Sequence, residues 1–301
     1  MLSALVRNFA VIVETGSITR AADHLDTTKS AVSQNLKRLE DELGVKLAVR
    51  TTRRMSLTPA GERYYQRCKA ILTLSRQAKT EMEAFGAPPS GPIKVTAPHA
   101  LIGPVLAPAL AEVTRRFPKL APQVIAEDRR LDLIAEGIDV AVSVGDLPDS
   151  SLKVRRVGEL RDILCVAPAL MRDAPASDDP DFRIWVQSMP YIAHMREPGS
   201  VEHVLPVSER SDPLKLRFNP TFRSNTIEAI AAFAREGLGV ALLPDISVAE
   251  DLKAGRLTQL CGSLRPDPTP IYAVHAYDTL APKSVSETIG AIQGIFARAR
   301  S

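Results

Sequence analysis

Ser17-Ile18-Thr19-Arg20-Ala21-Ala22-Asp23-His24-Leu25-Asp26-Thr27-Thr28-Lys29-Ser30-Ala31-Val32-Ser33-Gln34 is the stretch whose reading decides the fold. Before it, Leu2, Leu5, Phe9, Ile12 and Val13 recur at helical spacing until Gly16 breaks the pattern. Ser17 can cap a helix running to Leu25, because its side-chain oxygen can accept one of the free backbone N–H groups of the first turn. Ala21 and Ala22 supply small side chains where two helices must approach closely. Asp26-Thr27-Thr28 then gives a polar turn with a ready cap for a second helix. That helix is expected to reach Leu43, with Val32, Leu36, Leu39 and Leu43 on one face, and Gly44 ends it. Helix, short polar turn, helix is the outline of a helix-turn-helix. The rest of the second helix carries Lys29, Ser30, Ser33, Gln34 and Lys37, donors and acceptors suited to base edges and phosphates. On pattern alone the same residues also fit a solvated polar face.

Working outward, Val45–Val49 and Met55–Thr58 read as two short strands around an arginine-rich tip that holds Arg50, Arg53 and Arg54. Three guanidinium groups on one loop repel one another unless an anion compensates them. A wing placed beside a helix-turn-helix can set them on phosphates or in the minor groove. Thr58-Pro59 opens a long helix, with Thr58 as the cap and Pro59 at the first helical position. Along it Tyr64, Cys68, Ile71, Ser75, Ala78, Met82 and Phe85 repeat every three or four residues, close to a heptad seam. Some of that stripe can pack on its own domain, and the rest calls for a second chain. Charge supports the same division. Residues 1–86 hold 14 Lys/Arg and 9 Asp/Glu, whereas the remainder holds 24 and 26. A basic N-terminal module points to a polyanion partner such as nucleic acid.

These stretches together resemble the LysR-type transcriptional regulators. The resemblance rests on Phe9–Ser17, on Ala21-Ala22-Asp23-His24-Leu25 and on Ser30-Ala31-Val32-Ser33-Gln34. It continues through Leu39–Leu47, Arg50–Arg54 and Leu57-Thr58-Pro59-Ala60-Gly61. Ala48 departs from it, since the family usually has a large apolar residue there. A weaker match follows at Gly237-Leu238-Gly239-Val240-Ala241-Leu242-Leu243-Pro244. The resemblance implies an α/β chain of three parts. Residues 1–58 form a winged helix-turn-helix, residues 59–90 a dimerising linker helix and hinge, and residues 91–301 a two-lobed effector-binding domain like that of periplasmic binding proteins. Lobe I is expected at about 91–161 and 266–301, and lobe II at about 162–265.

The sequence after Ala87-Pro88-Pro89-Ser90-Gly91-Pro92 fits that architecture independently, because Pro and Gly here read as a linker. Strand-like runs at Ile93–Ala97, Gln123–Glu127, Asp139–Val144, Asp162–Val166, Val240–Leu243 and Ile271–His275 alternate with helical patterns at Leu101–Phe117, Asn225–Glu236 and Ser284–Arg300. This alternation predicts a largely parallel sheet. Crossings near Arg161 and near Arg265-Pro266 would let two lobes close on a ligand. Cleft residues are expected where strands end and helices begin. Thr96 and His99 mark one such point, and the resemblance places effector contacts on them. Ser224, Asn225 and Thr226 mark another, and Val144, Ile192 and His194 lie at the facing strand ends. For Ser224 and Asn225 plain helix capping is the alternative, and for the two histidines a purely structural place. Free N–H groups at helix starts suggest an anionic or carboxylate-bearing effector.

Other classes find less support. No GxSxG, GxGxxG, P-loop or HExxH occurs, and the five histidines show no metal spacing, so neither catalysis nor a cofactor is implied. Glu127-Asp128-Arg129-Arg130 reads as a self-compensating solvated turn. Cys68, Cys165 and Cys261 form no CxxC, and Cys165 lies in an apolar strand where it should be inert. No apolar run approaches the roughly 18 residues of a membrane span, and no secretory leader is recognisable, so a cytoplasmic protein is expected. The leading reading is a regulator that binds double-stranded DNA at an interrupted near-palindromic site as a homodimer or homotetramer, answers to a small molecule, and has RNA polymerase as a further candidate partner. A sensor or solute-binding protein fused to a helical dimerisation module is the alternative, followed by a soluble enzyme.

Overall fold

The computed structural model describes residues 2–50, 55–83, 88–150, 152–176, 179, 181–205, 213–260, 267–277 and 281–298. Three helices come first: α1 (Leu2–Thr15), α2 (Ile18–His24) and α3 (Lys29–Leu43). Ser17 and Thr28 cap α2 and α3 as expected, accepting from the amides of Arg20 and Ala31. Gly44 closes α3 at φ 67°, a left-handed conformation that costs glycine nothing. Asp26 takes φ 50° in the turn between α2 and α3. Leu5, Phe9, Ile12, Ala21, Ala22, Val32, Leu36 and Leu39 bury together as one small core. Leu43, expected on that apolar face, is exposed instead.

Strands β1 (Ala48–Arg50) and β2 (Met55–Leu57) pair antiparallel as the base of the wing. The tip at 51–54, with Arg53 and Arg54, lies outside the described residues, as does the side chain of Arg50. Helix α4 (Pro59–Glu83) follows, and Thr58 caps it by accepting from the Gly61 amide at 3.0 Å. Gly61 admits no larger residue, because a Cβ there would lie 1.9 Å from the Leu47 carbonyl oxygen.

The proposed seam on α4 divides. Tyr64 and Cys68 pack on the helix-turn-helix core, with the Tyr64 ring 5.7 Å from that of Phe9. Ile71 and Leu74 are 43% and 54% exposed. Ala78, Met82 and Phe85 lie outside the described side chains.

The rest of the chain builds two five-stranded sheets. The first has the order β4 (Leu120–Ala126), β3 (Gly91–Ala97), β5 (Val140–Val144), β14 (Thr269–His275), β6 (Lys153–Leu160). The second has the order β11 (Pro220–Ser224), β8 (Tyr191–His194), β12 (Val240–Pro244), β7 (Asp162–Val166), β13 (Thr258–Gln259). Both sheets are mixed rather than largely parallel. Strand β3 runs parallel to β4 and β5, and β8 parallel to β11 and β12, but β14 and β7 enter antiparallel to their neighbours β5 and β12. The cause is the double crossing: a chain that leaves one sheet and re-enters it later arrives from the opposite end. Only Arg161 separates β6 in the first sheet from β7 in the second. The chain returns from β13 in the second sheet to β14 in the first, and the expected crossing near Arg265-Pro266 lies outside the described residues.

Strand β7 shows how the second sheet is covered on both faces. Leu164 and Val166 bury on one side with Phe182, Tyr191 and Phe218; Ile163 and Cys165 bury on the other with Ile230 and Ala231 of α9 (Ile227–Arg235). Alternation of side chains along a strand requires this. The helix expected over 101–117 is interrupted. A short turn, α5 (His99–Leu101), leads into a π-helical stretch at Ile102–Leu106 before α6 (Ala107–Arg116). Pro104 has no N–H to give the ladder, and the helix widens around it. The last helix, α11 (Lys283–Arg298), falls where its apolar periodicity puts it. Sequence periodicity did not reveal β6, β11, the antiparallel pair β9 (Val201–Leu205) and β10 (Leu214–Phe218), or the helices α8 (Phe182–Ser188) and α10 (Asp245–Lys253).

By compactness the chain forms two units. One comprises 1–89, 131–139 and 275–283; the other comprises 90–130, 140–274 and 284–301. Both five-stranded sheets lie mainly in the second. Helix α7 (Leu133–Glu136) belongs to the first, where Glu136 pairs with Lys69 of α4 at 3.0 Å.

Candidate functional site

On α3 the buried side is Val32, Leu36 and Leu39, and the opposite side carries the residues singled out for nucleic acid. Lys29, Ser30, Gln34 and Lys37 are exposed and Ser33 is half-buried. At about 100° per residue these five span an arc of roughly 140°, one continuous face. One buried group departs from the apolar pattern. Glu40, 7% exposed, accepts from the Leu47 amide at 2.9 Å and the Ala48 amide at 3.2 Å, and pairs with Lys46 at 2.7 Å. Burial alone would raise its carboxyl, but the bonds from Lys46, Leu47 and Ala48 prevail and hold it below the usual carboxylate range. Thr58 grips the same segment from the other side, donating its hydroxyl to the Lys46 carbonyl at 2.7 Å. The start of the wing is thus clamped between α3 and α4. Glu40 lies in register with Val32 and Leu36, and a carboxylate on an apolar stripe was the sequence signal for this role.

The second constellation forms at the strand ends of the two sheets. Asp128, in the turn after β4, accepts from the His99 amide at 3.1 Å, and its Oδ1 lies 3.5 Å from His99 Nδ1. Its Oδ2 lies 4.0 Å from Nε2 of His194, at the end of β8 in the other sheet. His194 Nε2 is 3.0 Å from the Asn225 carbonyl oxygen, which can only accept, so Nε2 carries the hydrogen. His194 Nδ1 is then the acceptor, and it takes the Arg196 amide at 3.0 Å and the Arg196 Nε–H at 3.1 Å. Burial first, and then the Arg196 charge, hold His194 below the usual imidazole range. It is therefore neutral at pH 7.

The expected cleft residues fare differently. His99, His194 and Asn225 come together, and Ser224 aligns with His194 across the parallel pair β11–β8. Thr226 is the cap of α9, accepting from the Ala229 amide, while Ser224 accepts from the Thr226 amide at 3.5 Å. Thr96 is 6% exposed and donates to the Ile125 carbonyl at 3.0 Å, so its hydrogen is committed within the sheet. Val144 is half-buried at the end of β5. Ile192 is 1% exposed and packs beneath α9 with Ile230 and Ala231; it shares a strand face with His194 but lies two residues deeper, under the helix.

Two further expectations need correction. The Glu127–Arg130 turn does not simply compensate itself. Glu127 pairs with Arg129 at 3.1 Å and Arg130 donates to the Asp146 carbonyl, which leaves Asp128 to the histidines. The start of α5 is not a free anion site either, because the Asp128 carboxylate already holds the His99 amide. The sequence signal for Asp128 was its place, just past the end of a strand beside a topological switch point.

The cysteine expectation holds for Cys165. It is fully buried, and burial pushes its thiol up to about 12; Cys68 is pushed up to about 11. Cys261 lies outside the described residues. Among the described residues no group of three or more His, Cys, Asp or Glu could hold a metal ion, and no helix is long and apolar enough to cross a membrane.

A capped recognition-type helix beside a wing, joined to two α/β sheets whose strand ends converge on a polar cluster, defines a DNA-binding protein with a built-in sensory domain. Family comparison specifies it further. Residues 4–62 match the model of the bacterial regulatory helix-turn-helix protein, lysR family, and residues 86–296 match the LysR substrate binding domain. The chain is 31% identical over 271 residues to the HTH-type transcriptional regulator CrgA of Neisseria meningitidis serogroup C (strain 8013), covering 90% of this chain and 89% of that one. It is 30% identical over 293 residues to the HTH-type transcriptional activator AaeR of Escherichia coli (strain K12), covering 96% and 92%. Among solved structures, a full-length variant of AphB superposes with a TM-score of 0.66 at 25% identity, over 98% of this chain and 99% of that one. The chain belongs to the LysR family of transcriptional regulators. It is a regulator and not an enzyme.

Proposed function

We propose that Lys29, Ser30, Ser33, Gln34 and Lys37 read a major groove while Arg50, Arg53 and Arg54 of the wing engage the flanking backbone or minor groove. The observation that carries this reading is the continuous polar face of α3, capped at Thr28 and braced through Glu40. The protein acts in the cytoplasm as a homodimer or homotetramer on an interrupted near-palindromic site. Exposed Ile71 and Leu74 on α4 supply the apolar surface for pairing. RNA polymerase is the partner through which bound protein would alter transcription.

A small-molecule effector enters between the strand ends, against His99, His194, Ser224, Asn225 and the rim at Val144. The remaining oxygen lone pairs of Thr96 are available to it. An anionic group, if the effector has one, meets the start of α9 rather than α5, since Asp128 occupies the latter. The test is a thermal-shift panel of small metabolites on the full chain, followed by titration of each stabilising compound into the protein–DNA complex. A compound that shifts unfolding and changes DNA affinity supports the reading. Stabilisers that bind without any change in DNA affinity contradict it.

A further inference from the structure

We propose that this cleft is also a proton-binding site, and that the protein is a pH-responsive regulator: on protonation His194 exchanges Arg196 for Asp128, drawing the end of β8 toward the turn after β4. The inference rests on the reading of the cleft as the regulatory site and names a second input to it.

The geometry allows two arrangements of one side chain. In the neutral one, His194 Nδ1 accepts from the Arg196 amide and from Arg196 Nε, while Nε2–H donates to Asn225. A proton arriving from solvent on Nδ1 turns that atom into a donor facing two donors, and the Arg196 clasp must open. The imidazolium then stands 4.0 Å from Asp128 Oδ2, a carboxylate with no Lys or Arg partner among the described residues. His99 faces the same carboxylate. Its Nδ1 is buried, makes no hydrogen bond and sits 3.5 Å from the other Asp128 oxygen. Asp128 is therefore flanked by an imidazole from each sheet.

The surrounding charges leave this exchange open. From the loop after β8, Arg196 opposes protonation of His194 and Glu197 favours it. In the turn after β4, Glu127 and Arg129 satisfy each other, and Arg130 is held by the Asp146 carbonyl. Arg223 on β11 donates to the Glu197 and Gly199 carbonyls. On α9, the first-turn Glu228 is exposed. At the start of α10, the Asp245 carboxylate accepts from the Arg161 and Ile246 amides. Beside it the Asp162 carboxyl is raised by burial and then by Asp245 and Glu197.

The sign follows from linkage. Because this arrangement holds His194 below its ordinary value, it favours the neutral ring, and its advantage is lost as pH falls through the imidazole range. An arrangement that puts the imidazolium on Asp128 binds the proton more tightly and gains relative to it as pH falls. Acidification thus shifts the population toward the Asp128-bound arrangement.

The experiment uses the full chain with no organic ligand, in two readouts. Histidine-selective NMR follows each imidazole from pH 8 to 5, with the His194 signal assigned by His194→Gln. The wild-type midpoint is expected below the ordinary value, higher in Arg196→Ala and lower still in Asp128→Asn. DNA affinity for a duplex selected from a random library is expected to change about five-fold or more between pH 8 and 5.5, the scale of a typical coupling between sites. That change should shrink to under about two-fold in His194→Gln, a residual too small to count as coupling on that scale. One midpoint shared by wild type, Arg196→Ala and Asp128→Asn would overturn the proposal, as would a full pH response in His194→Gln. Failure to bind any duplex at either pH would remove the DNA-binding reading, with the imidazole titration still judging the switch. Intact but pH-independent binding would remove the switch alone.

Discussion

The recognition helix and the cleft are both polar sites on an apolar scaffold, yet they are built in different ways. On α3 the residues of interest are spaced one, three or four positions apart on a single helix, and one buried stripe fixes which way all of them face. In the cleft, Asp128 lies 29 residues from His99, and Asn225 lies 31 residues from His194. Two sheets must form and meet before those groups touch. A site carried by one element is set by local periodicity. A site assembled from strand ends is set by topology, and each side chain there has competing partners supplied by the fold. This is why the polar face of α3 keeps the five residues expected on it, while the polar cluster at the strand ends adds Asp128 and Arg196 and finds Ile192 buried under α9.

The largest expected effect probes whether the α3 face is as self-contained as it looks. Glu40→Ala leaves the Leu47 and Ala48 amides without their acceptor, and each such loss typically costs about 1–3 kcal/mol. We expect about 2–4 kcal/mol lost from the N-terminal module by denaturant titration, on the low side of two full losses because Ala48 is only half-buried. DNA affinity should fall with it. Unchanged stability would mean that the wing base holds without α3. The same carboxylate gives a pH signature. Its folded value is lowered, so its contribution is complete above the unfolded carboxylate range and disappears as pH falls through the folded value. The module should therefore weaken on acidification below about pH 4.5, and Glu40→Gln should flatten that slope.

Next in size, Gln34→Ala is expected to cost roughly 1–3 kcal/mol on the specific site and to relax the base preference there. A competition assay with mismatched duplexes reads both effects. A uniform loss across all sequences would reassign Gln34 to phosphate contact. The stripe on α4 offers a third test, since its first half already packs on the helix-turn-helix. Ile71→Asp would place a charge in the proposed seam and should shift light scattering from dimer to monomer. An intact dimer would move the pairing surface elsewhere.

The smallest effect separates neighbours in the cleft. Thr226→Ala should lose about 1 kcal/mol of stability as a removed helix cap. Ser224→Ala should lose only a few tenths, because its bond to the Thr226 amide is long and part-buried. Equal losses would make Ser224 a structural residue rather than a ligand contact.

What could be read in advance follows the same division. The caps at Ser17, Thr28 and Thr58, the glycine stop at Gly44 and the polar face of α3 were legible, because each depends on residues a few positions away. Six strands were placed near their observed bounds by apolar runs. The mixed sense of the sheets was not legible, since it follows from two crossings between lobes. The burial of Ile192 was not legible, because sequence does not show how far along β8 the cover of α9 extends; His194, on the same face two residues later, reaches the polar cluster. Asp128 was hidden by Arg129 and Arg130, whose charges suggested a pairing that Glu127 and the Asp146 carbonyl provide instead.

The central claim is that α3 reads base sequence. Selection of binding sites from a random duplex library by the full chain, followed by footprinting, tests it most directly. The account predicts enrichment of one interrupted, near-palindromic sequence, with protected major-groove segments about one helical turn or a multiple of it apart. In Gln34→Ala the preference should relax at the base pair that Gln34 reads, while salt-dependent binding to random DNA persists. A library that emerges unenriched, with equal salt-dependent affinity for every duplex, would contradict the account.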